Sequence, residues 1–432
     1  MLKKIKLTAY LFISILTISE SFAQKESRLY GNSPYSALGI GDIFSGSAIA
    51  NDAMGGTGLS FGNGIAVNTI NPALLAKNRY VAFNTGLRGQ YKTLSNGTLS
   101  QSDFGMNLSH ITLAFPVKTK WTTAITMQPY SGVDHEARFT QIIGGTTDKS
   151  VSHTYKGLGG LSKAAWANGV LLGKKLYLGV ETGYYFGSFK RDTTTLLLLS
   201  SNDMYLRNSD RISVGGFEIK TGFAFQQKLA EKWNLNVGGT YELSSKLKGE
   251  RIRTFSTLYD NGNGPQVIQK PDTLAMYNGG MTLPSRYALG ISLESPYKWT
   301  FAAEYSRQDW TQYRNFDNKV ESNLTSSEKI AFGVEYLPKY TSTKYFNQVF
   351  YRAGFQQVKT PYLVNGTHIK DNSFSLGLST PLAYRSVSYI DFSVSVGNRG
   401  VIGNGLVKEN YVKMSLGFSL MDTRWFLKPK ID

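Results

Sequence analysis

Apolar and polar positions alternate with a period of two through most of this chain, as they do in strands whose successive side chains point to opposite faces. In "YIDFSVSVG", Ile390, Phe392, Val394 and Val396 share one face, and Asp391, Ser393 and Ser395 share the other. "NYVKMSLGFSLM" sets Val412, Met414, Leu416, Phe418 and Leu420 against Lys413, Ser415, Gly417 and Ser419. "KWTFAAEYS", "VFYRAGF" and "HITLAFPV" repeat the pattern. The alternation predicts about fourteen strands, near 80–94, 104–117, 119–133, 155–171, 174–190, 211–228, 232–249, 285–295, 297–310, 327–338, 345–358, 372–382, 386–397 and 410–425.

Alternation alone fits a soluble sandwich, apolar face inward, as well as a membrane barrel, apolar face toward lipid. The connections separate the two. Short turns near 117–120, 172–175, 228–232, 294–298, 338–344 and 382–386 alternate with longer polar stretches near 95–103, 134–154, 190–210, 250–284, 311–326, 359–371 and 398–409. Short turns at one end and long loops at the other belong to outer-membrane barrels, as does an even strand number. Trp121, Trp233 and Trp299 each follow a short turn, which predicts an aromatic girdle at that rim. The expected fold is therefore all-β: a transmembrane antiparallel barrel.

The start of the chain agrees. Lys3, Lys4 and Lys6 precede an apolar run from Leu7 to Ile18, and Ser21, Phe22 and Ala23 supply small residues around a cleavage site. Residues 1–23 are expected to be a signal peptide, with the mature chain beginning near Gln24. The run is shorter than the ~20 residues of a spanning helix. There are no cysteines, but 26 Tyr, 24 Phe, 6 Trp and 44 Gly. The formal charge of +17 allows nucleic-acid binding on its own. Export favours basic groups facing anionic lipid head groups, with no nucleic acid.

Four histidines at 110, 135, 153 and 368 show no metal-ligand spacing, and "DNGNGP" at 260–265 lacks the glutamate of a calcium loop. No phosphate cradle or serine elbow occurs. No enzyme, metal or cofactor is expected.

Residues 24–79 precede the alternating region and contain "AMGGTGLSFGNG" and "NTINPALLA". Pro72 stops onward strand pairing, Asn71 can bond local backbone, and the glycines permit tight turns. Such a segment suits a plug inside a barrel, movable or fixed. The plug is followed in order by "LPSRYALGISLESPYKWTFAAEYSRQDW", "FGVEYLP", "YRAGFQ", "TPYL" and "FSLGLSTPL". This succession, over most of the chain from about Ala53 to the end, resembles the FadL/TodX family of outer-membrane transporters for hydrophobic compounds.

The resemblance implies a 14-stranded barrel, over 80–426, and a hatch over 24–79 with Asn71, Pro72 and Ala73 in its motif; the residues after Trp425 and Phe426 read as a short basic tail over 427–432. The resemblance also implies an opening in the third strand, where Pro129 and Gly132 can interrupt pairing; the same residues also fit a strand that simply ends at the outer rim. Glu181, Glu242, Glu294, Glu304, Glu335, Asp391, Arg88, Arg352 and Lys413 are expected to face the lumen, mostly paired across strands or to the hatch. Arg352 and Lys413 suit a ligand carboxylate.

The function implied is passive uptake of long-chain fatty acids or aromatic hydrocarbons by a monomeric barrel set among outer-membrane lipids and lipopolysaccharide. The alternative is a barrel subunit of an outer-membrane complex, like PorV-like components of type 9 secretion, with a protein partner at the outer loops.

Overall fold

The computed structural model describes residues 33–44, 46–142, 150–198, 204–260, 265–267, 270–383 and 386–422. The signal peptide, the start of the mature chain and the basic tail expected from the sequence lie outside them.

Fourteen antiparallel strands close into a barrel. They are β1 (Val81–Ser95), β2 (Ser100–Lys118), β3 (Trp121–Ile142), β4 (Ser150–Leu172), β5 (Leu176–Leu198) and β6 (Met204–Ala230). β7 has two parts, Trp233–Glu242 and Ser245–Asp260, and so has β8, Asp272–Leu283 and Arg286–Ser295. β9 (Trp299–Asp309), β10 (Ser326–Tyr336), β11 (Phe350–Val364), β12 (Thr367–Pro381), β13 (Tyr389–Arg399) and β14 (Lys408–Asp422) complete the set. β14 pairs with β1 from Lys408 opposite Ser95 to Asp422 opposite Val81, which closes the sheet. The β8 break falls at Pro284, which has no N–H for the ladder.

The faces have membrane polarity. On β13, Phe392 is 41% exposed on the outside while its neighbour Asp391 is 4% exposed in the lumen. Trp299 packs against Tyr336 at 4.1 Å and Phe301 at 5.6 Å near the short-turn end, in the girdle position read from the sequence. No helix among the described residues is long and apolar enough to cross a membrane.

The barrel has a high side and a low side. β3 to β6 run for 22, 23, 23 and 27 residues, whereas β9, β10 and β13 have 11 each. At ~3.3 Å per residue and ~40° tilt, the 16-residue upper part of β7 rises roughly 40 Å beyond the lower part. Here the structure departs from the sequence reading. Most of 134–154, 190–210 and 250–284, expected as loops, is sheet continuing upward. The apolar-polar alternation fades there because above the membrane neither face meets lipid. The expected loop at 359–371 is mostly a β11–β12 hairpin turning on Asn365 (φ 49) and Gly366 (φ 74), an Asn-Gly pair suited to that turn.

The lumen is filled from the N-terminal side. Tyr35 and Ile40 join Val133, Leu161, Trp310, Tyr313 and Leu324 in an apolar cluster beneath the outer mouth. The chain then descends to the short-turn end, where β1 begins.

Candidate functional site: the plug, the cavity and the interrupted seam

The plug winds around the inside of the wall, and on ten of the strands it meets an inward-facing glycine. Ile49 lies against Gly86 of β1 and Gly417 of β14, Ala53 against Gly377 of β12, and Met54 against Gly354 and Gly333 of β11 and β10. Leu59 covers Gly290 and Gly238 of β8 and β7. Pro72, Ala73 and Leu75 then press on Gly222, Gly179 and Gly169 of β6, β5 and β4. A Cβ at Gly169 would come within 2.5 Å of the Pro72 carbonyl oxygen, so the close approach requires glycine there.

Polar contacts fix the same path. Asn71 is fully buried; its amide donates to the carbonyls of Leu59 at 2.7 Å and Phe223 at 2.9 Å. Its Oδ1 accepts from the Ala73 N–H at 3.0 Å, capping a short 3-10 turn over Pro72–Lys77. Asn71, Pro72 and Ala73 thus lie together, sandwiched between plug and wall. Arg88 on β1 reaches Asp52 at 2.6 Å, and Glu304 Oε1 on β9 accepts from the Gly58 and Leu59 N–H groups, both at 2.6 Å. Near the outer mouth Arg399 on β13 holds Asp42 at 2.8 Å. Burial alone would raise the Asp42 carboxyl; the Arg399 and Lys92 charges outweigh it and hold it below the usual range.

Among the described residues, direct pairing between β2 and β3 is confined to the lower part of the seam. Pairing runs from Lys118 opposite Trp121 to Ile111 opposite Met127 and stops. A register shift on each flank bends the strands apart: Ser109 is the extra residue on β2 against β1, and Tyr130 the extra residue on β3 against β4. Pro129 adjoins the β3 bulge, and Gly132 lies two residues above it. The plug fills this place: Asp42 and Ile43 pair with Gly132 and Ser131, and the Phe44 N–H donates to the Tyr130 carbonyl at 2.9 Å. A Cβ at Gly132 would meet the Phe44 ring at 2.6 Å.

A cavity of about 300 Å³ extends inward from Phe44, Gln128, Pro129 and Tyr130. Its walls carry charge: Lys163, Lys220, Glu242, Arg286, Glu304 and Lys413 all contribute. Several are paired, Lys163 with Glu181 at 2.7 Å and with Glu218, and Lys220 with Glu181 at 3.0 Å. The cavity touches Thr69 and Ile70 of the plug, and Asn71 to Ala73 are not among its lining residues. Lys413 lines it; Arg352 does not. Arg352 is buried against Glu335 at 2.7 Å and bonds Ser379.

Sequence reasoning placed Arg88 and Glu304 in the lumen without naming their partners Asp52, Gly58 and Leu59, and it missed the Arg399–Asp42 pair and the glycine track. The track had a signal: single glycines at inward-facing positions inside otherwise regular strands, which mark close backbone approach.

Solved structures with this architecture share little sequence with the chain. The P. putida toluene transporter TodX matches with a TM-score of 0.57 at 15% identity, over 88% of this chain and 99% of that one. The Ralstonia pickettii toluene transporter TbuX matches with 0.55 at 16%, over 87% and 98%. A Pseudomonas aeruginosa FadL homologue matches with 0.54 at 11%, again over 87% and 98%. The resemblance to FadL/TodX proteins read from the sequence is thereby borne out as a fold. No curated protein matches. The BamG family model covers residues 1–432, the whole chain, and the chain belongs to the BamG family.

Proposed function

We propose that this barrel serves as an outer-membrane subunit of a protein complex, with its lumen held shut by the plug. One observation carries the reading: a one-sided sheet stands far above the membrane band and bears exposed apolar residues. Phe139 and Ile142 near the top of β3 are 60% and 66% exposed, and Leu274 and Met276 on upper β8 are 60% and 62% exposed. Apolar side chains in water at that height suit a protein partner. The clamped plug and charged cavity fit a closed barrel better than a path for hydrocarbons.

The test is the size of the assembly extracted in mild detergent. A complex larger than one barrel, reduced to the single barrel by Leu274→Asp with Met276→Asp, supports the proposal. A lone barrel from native membranes, unaffected by those changes, overturns it.

A second reading, passive uptake of hydrophobic small molecules with sideways release, is favoured by the cavity running to the interrupted β2–β3 seam. Pro129 and Gly132 would then border the exit, Asn71, Pro72 and Ala73 would belong to the hatch, and Lys413 would meet a ligand carboxylate. Arg352, committed to Glu335, has no part in it. Since the chain has no native cysteine, an Ile43→Cys, Ser131→Cys disulfide would lock the exit. Loss of oleate uptake on oxidation, restored by reductant, supports release there; unchanged uptake removes it.

A further inference from the structure

We propose that the short-turn rim is a binding belt for anionic phospholipid head groups of the inner leaflet. In barrels of this class the short turns face the periplasm. Lys118 and Lys120 flank the β2–β3 turn, Lys174 and Lys175 lie in the β4–β5 turn, and Lys228 and Lys232 flank the β6–β7 turn. The β8–β9 turn adds Lys298, and the β10–β11 connection adds Lys339 and Lys344. All are exposed. The carboxylates at this rim among the described residues are Glu231, Glu294, Glu335 and Asp422; Glu294 faces Lys77 at 3.9 Å and Glu335 pairs with Arg352 at 2.7 Å.

The opposite end is different. There Arg251 binds Asp210 and Asp317, Lys190 binds Asp192 at 2.9 Å, and Arg307 faces Glu328 at 3.8 Å. Some of the basic charge at the high end is thus answered by ion pairs, while nine exposed lysines stand at the short-turn rim.

Two features select a lipid rather than an acidic protein. The lysines recur at five successive turns, around most of the circumference, whereas a docked protein would need a patch on one side. Three of them also stand directly before a tryptophan: Lys120–Trp121, Lys232–Trp233 and Lys298–Trp299. A strand-opening tryptophan at the head-group level with an ammonium one residue below it matches the depth order of an interface, ring among the glycerol esters and cation at the phosphates. The Trp121 indole N–H is fixed at 3.1 Å from Asn168 Oδ1, and the Lys298 ammonium is held 2.6 Å from the Pro338 carbonyl and 5.1 Å from the Tyr336 ring centre.

The full chain in detergent is mixed with equal dioleoyl phosphatidylglycerol and dioleoyl phosphatidylethanolamine, and retained lipids are counted by native mass spectrometry. Phosphatidylglycerol is expected to be favoured at least about fivefold, and Lys120→Gln, Lys232→Gln, Lys298→Gln together to cut that preference about fivefold or more. Salt at 0.5 M should reduce it too. Lys190→Gln with Arg253→Gln, at the other end, should leave it unchanged, and heat-modifiable gel mobility verifies folding of each variant. Equal retention of the two lipids overturns the proposal. So does a preference that survives the triple replacement in folded protein, or one lost equally with the distal pair.

Discussion

The side-chain amide of Asn71 donates to the main-chain carbonyl of Phe223 across 2.9 Å, joining plug to wall at a point with no solvent access. Asn71→Ala leaves the carbonyls of Leu59 and Phe223 and the Ala73 N–H without this partner. Each buried unsatisfied group costs about 1–3 kcal/mol. The barrel, whose ladder is untouched, should still run as a folded band, while trypsin cuts the plug at Lys77 at least tenfold faster than in the parent.

The glycine track predicts a stronger and more local effect. A Gly169→Val side chain has to enter the space of the Pro72 carbonyl, and the Leu75 Cβ lies 2.9 Å from even the first added carbon. The plug then has to leave the wall at β4. Single-barrel conductance in planar bilayers should rise from a closed baseline to measurable current. Gly173→Val, in an open turn with nothing within 4 Å, tests whether losing a glycine suffices; with φ of 64 it should destabilise its turn without opening the lumen.

Arg88 and Asp52 form a pair with side chains only 4% and 11% exposed. Removing one partner from a buried pair costs about 3–5 kcal/mol, because the remaining charge stays buried. Asp52→Ala should therefore lower the thermal midpoint of plug release, read by protease sensitivity. Replacing both, Arg88→Met with Asp52→Leu, should recover most of the loss. If the double variant is no better than the single one, the pair is not the fastening.

Asp42 gives the plug a defined response to acid. Its carboxyl is held below the ordinary value, so its contribution is complete above the unfolded value of about 3.9 and is lost as pH falls through the lower folded one. A fluorophore on Phe44→Cys should report a constant environment from about pH 5 to 8 and release only below about pH 4. Asp42→Asn, which removes the titrating group, should abolish that acid transition.

Much of this molecule could be read from its residues. All fourteen strands were legible where lipid meets one face, because burial in hydrocarbon forces every second position to be apolar, as in Ile390 to Val396. Above the membrane that constraint ends, and the upper parts of β3 to β8 looked like polar loops. Pro72 and the glycines marked the segment before β1 as something other than strand, but the contacts it makes with the wall were not legible. Arg88 and Asp52 are 36 residues apart, and Glu304 lies 245 residues from Leu59. Nothing local announces such partners. Arg352 and Lys413 looked alike as inward cations and differ only because Glu335 stands beside one of them.

The unequal height of the wall gives the molecule a front and a back within the plane of the membrane. A barrel of even height can spin without changing what it shows its neighbours. This one cannot: anything approaching from the β3–β8 side meets a standing screen, and anything approaching from β9–β14 slides over a low sill. Rotation in the bilayer therefore becomes a variable that the protein's surroundings can read.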